Sequence, residues 1–325
     1  TRMNSFHEVQ RTSLSRRNRV LITGANGFVA RFLIDALRRR GDETIGVDIA
    51  SHPVHAVDRY YACDLLESNA IRIILEVERP TYIVHLAAVS SVAKSWAAPV
   101  DSFLNNTNVF LNVAEAVRAL RLKTRILSVG SSEEYGVVPQ EKTPIAETHP
   151  LAPLSPYAVA RVAQEQLSAL YARGFGLDIV MTRSFNQIGP GQRDTFVVPS
   201  FVRQLLAARM EGRARAHVKA GDLSIVRDFL DVRDAVLAYV ALLEKGRTGE
   251  TYNVCSGQGH RLDEVLRLAA EIVGVSVETE IDPRFVRPAD NPVIIGDNAK
   301  LSREAGWRPQ HDLRASLQDI VAAQA

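Results

Sequence analysis

Arg19-Val20-Leu21-Ile22-Thr23-Gly24-Ala25-Asn26-Gly27-Phe28-Val29-Ala30 is the stretch from which the rest of the chain is read. Val20 to Ile22 is a short apolar run, the pattern of a buried strand. Thr23 to Gly27 is a tight turn. Phe28 to Arg40 has apolar positions Phe32, Leu33, Ala36 and Leu37 at helical spacing. Strand, glycine turn and helix together build a dinucleotide site. Glycines let backbone N–H groups approach a pyrophosphate, and a helix N-terminus favours its charge. A second strand, Glu43 to Val47, ends at Asp48, roughly twenty residues after the turn, where an acid suits ribose hydroxyls and repels a 2′-phosphate. That favours NAD(H) and leaves NADP(H) open. Gly24 and Gly27 stand three apart, so the pattern is G-x-x-G with Ala30 in the third place. Such a turn also caps ordinary core strands; its placement before a helix and upstream of Asp48 points to the dinucleotide.

The chain has 325 residues, room for one large α/β unit or two fused lobes, and 46% are hydrophobic. Lys+Arg 39 against Asp+Glu 37 gives a net +2, which argues against nucleic-acid and membrane partners. Cys63 and Cys255 have no metal-ligand or C-x-x-C spacing and read as buried thiols of a reducing, cytoplasmic compartment; no metal is expected. No apolar run approaches the roughly 18 residues of a membrane span. Residues 1–18 are polar and Arg-rich, without the apolar core of a secretory signal, and read as a flexible tail. Met3 is a candidate start, with Thr1 and Arg2 ahead of it.

Strand and helix patterns then alternate. Arg59 to Ala62, Tyr82 to Leu86, Arg125 to Val129 and Leu177 to Thr182 read as strands. Ala70 to Glu78, Asp101 to Leu120 and Tyr157 to Tyr171 read as helices. This rhythm predicts a doubly wound parallel sheet with right-handed crossovers, a Rossmann fold, with ligands outside the strand C-terminal ends. Asp48, Asp64, Ala87, Ser131 and Asn186 fall just after such strands. After about Phe185 the rhythm breaks, although Val232 to Glu244 and Leu262 to Val273 still look helical. The expected organisation is a dinucleotide-binding domain over 19–185. A smaller, mainly substrate-binding α/β lobe follows over 186–325, with some segments returning to the sheet.

Ser131, Tyr157 and Arg161 are the candidates for chemistry. Tyr157 and Arg161 are i, i+4 and share a helix face. A cation beside a phenol favours the phenolate, and a serine at a strand end can bond a substrate oxygen. Such a set can move a proton to or from a C–OH while a nicotinamide moves the hydride. A surface Tyr/Arg pair on an amphipathic helix is the alternative.

Thr23-Gly24-x-x-Gly27, His85-Leu86-Ala87-Ala88, Ser131 and Tyr157-x-x-x-Arg161 resemble the extended short-chain dehydrogenase/reductase family. The family has lysine where Arg161 stands, and a planar guanidinium is not a conservative replacement. Ile126 to Gly136, Phe185 to Gln192, Arg227 to Asp234, Tyr252 to Gly257 and Gly306 to Pro309 are similar to its GDP-6-deoxy-D-mannose (GDP-4-keto-6-deoxymannose) reductase branch. The resemblance covers about Val20 to Ile320. It implies catalytic positions at Ser131, Tyr157 and Arg161. It implies cofactor positions at Gly24, Asn26, Gly27, Phe28, Val29, Asp48, Asp64, Leu65, Leu86, Ala87 and Ala88, and at Tyr157 and Arg161 as well, where the family's lysine holds the nicotinamide ribose. Asn186, Arg227 and Arg287 match residues that hold a sugar nucleotide's diphosphate, for which arginine's fork of donors is suited. A salt bridge to Asp228 or Asp231 is the alternative for Arg227. A homodimer is also implied.

Glu133 stands two residues after Ser131, where related 4,6-dehydratases carry the base that removes the C5 proton. It therefore joins the catalytic and substrate candidates, beside a reading as a plain loop carboxylate. Three functions stay open. The first is NAD(P)H-dependent reduction of the C4 ketone of GDP-4-keto-6-deoxy-D-mannose. The second is a dehydratase or C4 epimerase with recycled NAD. The third is a catalytically weakened binding protein. His85 reads as a packed core histidine, Trp96 and Trp307 as packing anchors. Val109, Val113, Val117 and Leu120 read as helix core or subunit interface.

Overall fold

The computed structural model describes residues 17–286 and 291–325. Arg287 and residues 1–16 lie outside the described residues.

In chain order the elements are β1 (Arg19–Thr23), α1 (Phe28–Arg40), β2 (Glu43–Asp48), β3 (Arg59–Ala62), α2 (Ser68–Glu78), β4 (Tyr82–His85), α3 (Val92–Ala97), α4 (Pro99–Ala119), β5 (Arg125–Ser131), α5 (Pro156–Phe175) and β6 (Asp178–Ser184). They continue with β7 (Asn186–Ile188), α6 (Val197–Met210), β8 (Arg215–Ala220), β9 (Val226–Asp231), α7 (Val232–Lys245), β10 (Thr251–Val254), β11 (Gly259–Arg261), α8 (Leu262–Val273), β12 (Ser276–Ile281), β13 (Val293–Ile294), α9 (Ala299–Ala305) and α10 (Leu313–Gln324).

Seven strands form one parallel sheet in the order β3-β2-β1-β4-β5-β6-β10. Parallel strands bury both faces, which is why Val20, Leu21, Ile22, Ile83, Val84, Ile126, Leu127, Ile179 and Val180 are fully apolar and buried. Helices α1 and α7 cover one face, and α2, α4 and α5 the other. This is the doubly wound Rossmann architecture. Its strand order reverses between β1 and β4, so a crevice opens beyond their C-terminal ends.

Helix limits follow local chemistry. Helix α5 starts where the Ser155 hydroxyl accepts the Ala158 N–H, with Pro156 in the first turn, and stops at Gly176 in the left-handed conformation. The α4 stripe resolves to core: Val109, Val113 and Val117 are buried against the sheet, and none of them faces outward. Trp307 is an anchor, its Nε1–H donating to the Asp234 carbonyl at 3.0 Å. The expectation for Trp96 fails: it is 64% exposed on α3, because only one face of that short helix packs on α4 and α5.

The second lobe has its own core, from α6, α8, α10 and β8. There β9 pairs with β7, β11 and β13, and β8 with β12. A small cluster of Tyr135, Val138, Ile145, Phe185, Cys255 and Ile294 packs where this lobe meets the sheet.

Candidate active site

The glycine turn closes on the neighbouring strand. Gly24 has φ +68°, and a Cβ there would lie 2.9 Å from both Ala87 Cα and Ala87 N. Gly27 N–H donates to the Gly24 carbonyl at 3.0 Å. The Thr23 hydroxyl accepts the Ala87 N–H at 3.2 Å and meets His85 Nδ1 at 3.0 Å, pinning the end of β4 to the turn. His85 is fully buried. Burial, with the nearby Arg161 charge, lowers its pKa to about 3, so it is a neutral packing residue at neutral pH.

Phe28 and Val29 occupy the first turn of α1, where backbone N–H groups lack intrahelical acceptors. Asp48 Oδ2 accepts the Asn26 N–H at 3.0 Å, and its Oδ1 accepts Ala50 N–H at 3.2 Å. The Asn26 side chain accepts Val54 N–H and donates to the His52 carbonyl and Tyr60 Oη, so it braces the loop after β2. The Asp48 carbonyl accepts Cys63 N–H at 2.8 Å, which sets Asp64 and Leu65 beside it. Leu86, Ala87 and Ala88 follow β4. The dinucleotide candidates are thus gathered at the C-terminal ends of β1 to β4. A Cβ on Gly189 would lie 2.5 Å from Val232 Cγ1 and 3.3 Å from the Phe28 ring, and on either side of Gly189 the buried Oε1 atoms of Gln187 and Gln192 meet no donor among the described residues. A cradle without room for a side chain, helix N–H groups and orphaned acceptors fit a dinucleotide.

Tyr157 and Arg161 are not a surface pair. They are 7% and 5% exposed. Arg161 Nε–H donates to Tyr157 Oη at 3.3 Å, and Nη1–H groups donate to the Val129 carbonyl at 3.2 Å and to Gln164 Oε1 at 2.6 Å. The bond to Val129 places the pair alongside the last residues of β5, two positions before Ser131.

Ser131 ends β5 and caps a short 3₁₀ turn, Ser132–Tyr135. Its Oγ accepts Glu133 N–H at 3.2 Å, which leaves the O–H free to donate. Its own N–H goes to Glu134 Oε1 at 2.8 Å, a reciprocal capping box. Glu134 reaches that place because residue 130 is glycine: a Cβ there would lie 2.5 Å from Glu134 Oε1. Glu133 is half-buried beside Ser131, whereas Glu134 is fully buried. Sequence reading missed Glu134 and Gln164. The Ser-x-x-Glu spacing announces the first; nothing local announces the second.

In the second lobe, Asn186 Nδ2–H donates to the Asp228 carbonyl at 3.5 Å, placing it beside Arg227 on neighbouring strands. Arg227 Nη1–H groups donate to the carbonyls of Asn291 and Val226. The suggested carboxylate partners are committed elsewhere. Asp228 accepts from Ser256 N and Oγ, Gly257 N and Gly296 N, and Asp231 accepts from Arg233 and Ser316. Asn291 Nδ2–H donates to the Gly136 carbonyl at 2.9 Å, so the strip bearing Arg227 is tied to the loop that follows Ser131.

A family model described as GDP-mannose 4,6 dehydratase matches residues 21–320. The chain is 34% identical to GDP-6-deoxy-D-mannose reductase of Pseudomonas aeruginosa over 94% of its own length and 96% of that protein. Its fold is similar to the structure of RMD from Pseudomonas aeruginosa complexed with NADPH (TM-score 0.82, 32% identity, 94% of this chain and 98% of that one). It is also similar to UDP-glucose 4-epimerase from Thermotoga maritima with UDP-glucose (TM-score 0.85, 28% identity, 94% and 98%). The chain belongs to the GDP-mannose 4,6 dehydratase family of extended short-chain dehydrogenases/reductases.

Proposed function

We propose that the chain reduces the C4 ketone of GDP-4-keto-6-deoxy-D-mannose to GDP-6-deoxy-D-mannose. The observation that carries this is the buried Tyr157–Arg161 pair bonded to Val129 beside Ser131, in a chain one-third identical to a GDP-6-deoxy-D-mannose reductase. Bound NAD(P)H supplies the hydride. Ser131 Oγ–H donates to the ketone oxygen and orients it. Tyr157 Oη gives its proton to that oxygen as the hydroxyl forms, and the fixed Arg161 cation favours the phenolate left behind. Asn186, Arg227 and Arg287 serve the diphosphate.

The carboxylate at the end of β2 supports NADH as the preferred donor, although the similar Pseudomonas aeruginosa structure holds NADPH. A homodimer is proposed on the outer faces of α4 and α5. Incubation with the keto sugar and NADH, or NADPH, should bleach the reduced nicotinamide's near-ultraviolet absorbance. No loss with either donor would refute the reading. Glu133, beside Ser131 and at the dehydratase offset, supports a second reading in which an intact GDP-sugar is dehydrated with no net change of cofactor. Conversion of GDP-mannose that Glu133→Gln abolishes would favour it.

A further inference from the structure

We infer that Gln164 is a positioning residue that fixes the plane of the Arg161 guanidinium, so that an arginine serves where the resembling enzymes carry lysine. The inference rests on the proposed role of Tyr157 and Arg161. A guanidinium offers five N–H donors in a rigid plane. Here the Nε–H is directed at Tyr157 Oη, and the two Nη1–H groups go to the Val129 carbonyl and Gln164 Oε1. The Nη2–H groups meet no acceptor among the described residues, and they are the ones left to face another molecule. Three acceptors in different directions fix the plane; two allow it to swing about its side chain.

The orientation of the Gln164 amide is forced. Arg161 can only donate, so Oε1 must face it. The Val129 carbonyl can only accept, so Nε2 must lie toward it, at 3.3 Å. Nε2 also donates to Ser128 Oγ at 2.9 Å. Ser168 Oγ–H donates to the Gln164 carbonyl at 2.8 Å and stands 2.9 Å from Ser128 Oγ. Ser128 Oγ therefore accepts from both the Gln164 amide and the Ser168 hydroxyl, which Ser168 shares with the Gln164 backbone carbonyl, and a buried circuit ties the amide to two hydroxyls. Gln164, Ser128 and Ser168 are all buried, where an unpaired amide or hydroxyl is costly. The circuit holds Gln164 still, and Gln164 holds Arg161 still. A lysine at 161 has one nitrogen, and it cannot replace a fork that spans Tyr157, Val129 and Gln164 together. Arg161→Lys should therefore lower activity while keeping the charge.

The test compares Gln164→Met, which keeps the length and loses the acceptor, with Gln164→Glu, which keeps an acceptor for Nη1. NADH and NADPH dissociation constants by calorimetry, melting temperature by circular dichroism, and the pH profile of kcat are measured for each. Gln164→Met should weaken cofactor binding about tenfold, equivalent to about 1.4 kcal/mol, and move the alkaline limb of the kcat profile to higher pH, because the ketone oxygen takes its proton from Tyr157. Gln164→Glu keeps the acceptor for Nη1 but loses the donor to Val129 and Ser128, so it should weaken binding less than Gln164→Met does. A lower melting temperature with unchanged binding and pH profile would mean structural filling only and would overturn the inference, as would equal losses in both variants. If Gln164→Met does not fold, Ser128→Ala decides. It should weaken cofactor binding about threefold, and wild-type values would overturn the inference. A wild-type protein that binds cofactor yet reduces no keto sugar refutes the proposed function alone, because the binding series still judges Gln164.

Discussion

Glu134 turns back on Ser131: its Oε1 accepts the Ser131 N–H at 2.8 Å while its Oε2, buried, stands 4.0 Å from Arg183 Nε. Arg183 is already committed to Glu165 through two bonds, at 2.9 and 2.6 Å. Burial pushes the Glu134 carboxyl well above the usual range, and the Glu165 charge adds to the push. A neutral acid at this place can donate to Glu165 and still accept from Ser131. Folding therefore favours the protonated form of the group that holds Ser131 at the end of β5.

The first prediction follows from that proton. The folded pKa of Glu134 is raised above the unfolded value, so between the two the folded chain binds the extra proton. Its stabilisation is whole below the unfolded pKa and is lost as pH rises toward the folded one. Unfolding free energies from urea titrations should fall as pH rises above the ordinary carboxylate range, with a slope of up to about 1.4 kcal/mol per pH unit from this group. Glu134→Gln mimics the protonated acid, keeps an acceptor for Ser131, and should flatten that slope. An unchanged slope would show that Glu134 is ionised in the folded chain.

The second prediction concerns the cradle. Gly24 has positive φ, and a methyl group there would collide with the Ala87 backbone, which cannot turn aside as a side chain can. Gly24→Ala should cost about 1–3 kcal/mol in strain and move Ala87 off Thr23. It should lower the melting temperature and weaken NAD(P)H binding together. Gly41 offers a control: it also has positive φ, but a Cβ there meets nothing within 4 Å. Gly41→Ala should cost about 1 kcal/mol and leave cofactor affinity unchanged.

Much of this frame was legible in the residues. Val20 to Ile22 is apolar because a parallel strand is covered on both faces, and the ends of α1 and α8 are marked by Gly41 and Gly274 in the left-handed conformation. What stayed hidden depends on contacts between elements. Gln164 looks like any polar residue on a helix, and only the packing of α5 on β5 buries it. The apolar stripe of α4 says that a face is covered but not by what, so core and interface could not be separated. Trp96 looked like an anchor because it is large, yet it stands on an exposed edge. Glu134 was signalled by its three-residue spacing from Ser131, but the dehydratase offset drew the reading to Glu133.

A third prediction tests the preference for NADH. Both Asp48 oxygens are held by backbone N–H groups, of Asn26 and Ala50, which fixes the carboxylate at the end of β2. A 2′-phosphate brought there meets like charge. Asp48→Asn keeps an acceptor for one N–H and removes the charge. It should shift the NADPH-to-NADH ratio of kcat/KM toward NADPH by about tenfold, or about 1.4 kcal/mol. Steady-state rates with each donor measure the ratio. A ratio that does not move would place the ribose away from Asp48.

The last prediction is the dimer. On α5, Val159 and Leu170 are 45% and 52% exposed, and on α4 Val100, Phe103 and Leu104 are also exposed. Trp96, Phe103, Leu154 and Val159 line one groove of about 560 Å³. The buried stripe of α4 faces the sheet, so these residues form a separate apolar surface on the outside of the two helices. Apolar surface of this extent is stabilised by cover. A second copy related by a two-fold axis would lay α4 and α5 against the same pair and cover both surfaces at once. Sedimentation should give a mass of twice 35.8 kDa. Val159→Glu with Leu170→Glu should yield folded monomers, because both side chains are half exposed in the single chain and a carboxylate there meets solvent. Wild-type protein that sediments as a monomer at micromolar concentration would refute the dimer. A double variant that remains dimeric would place the contact elsewhere.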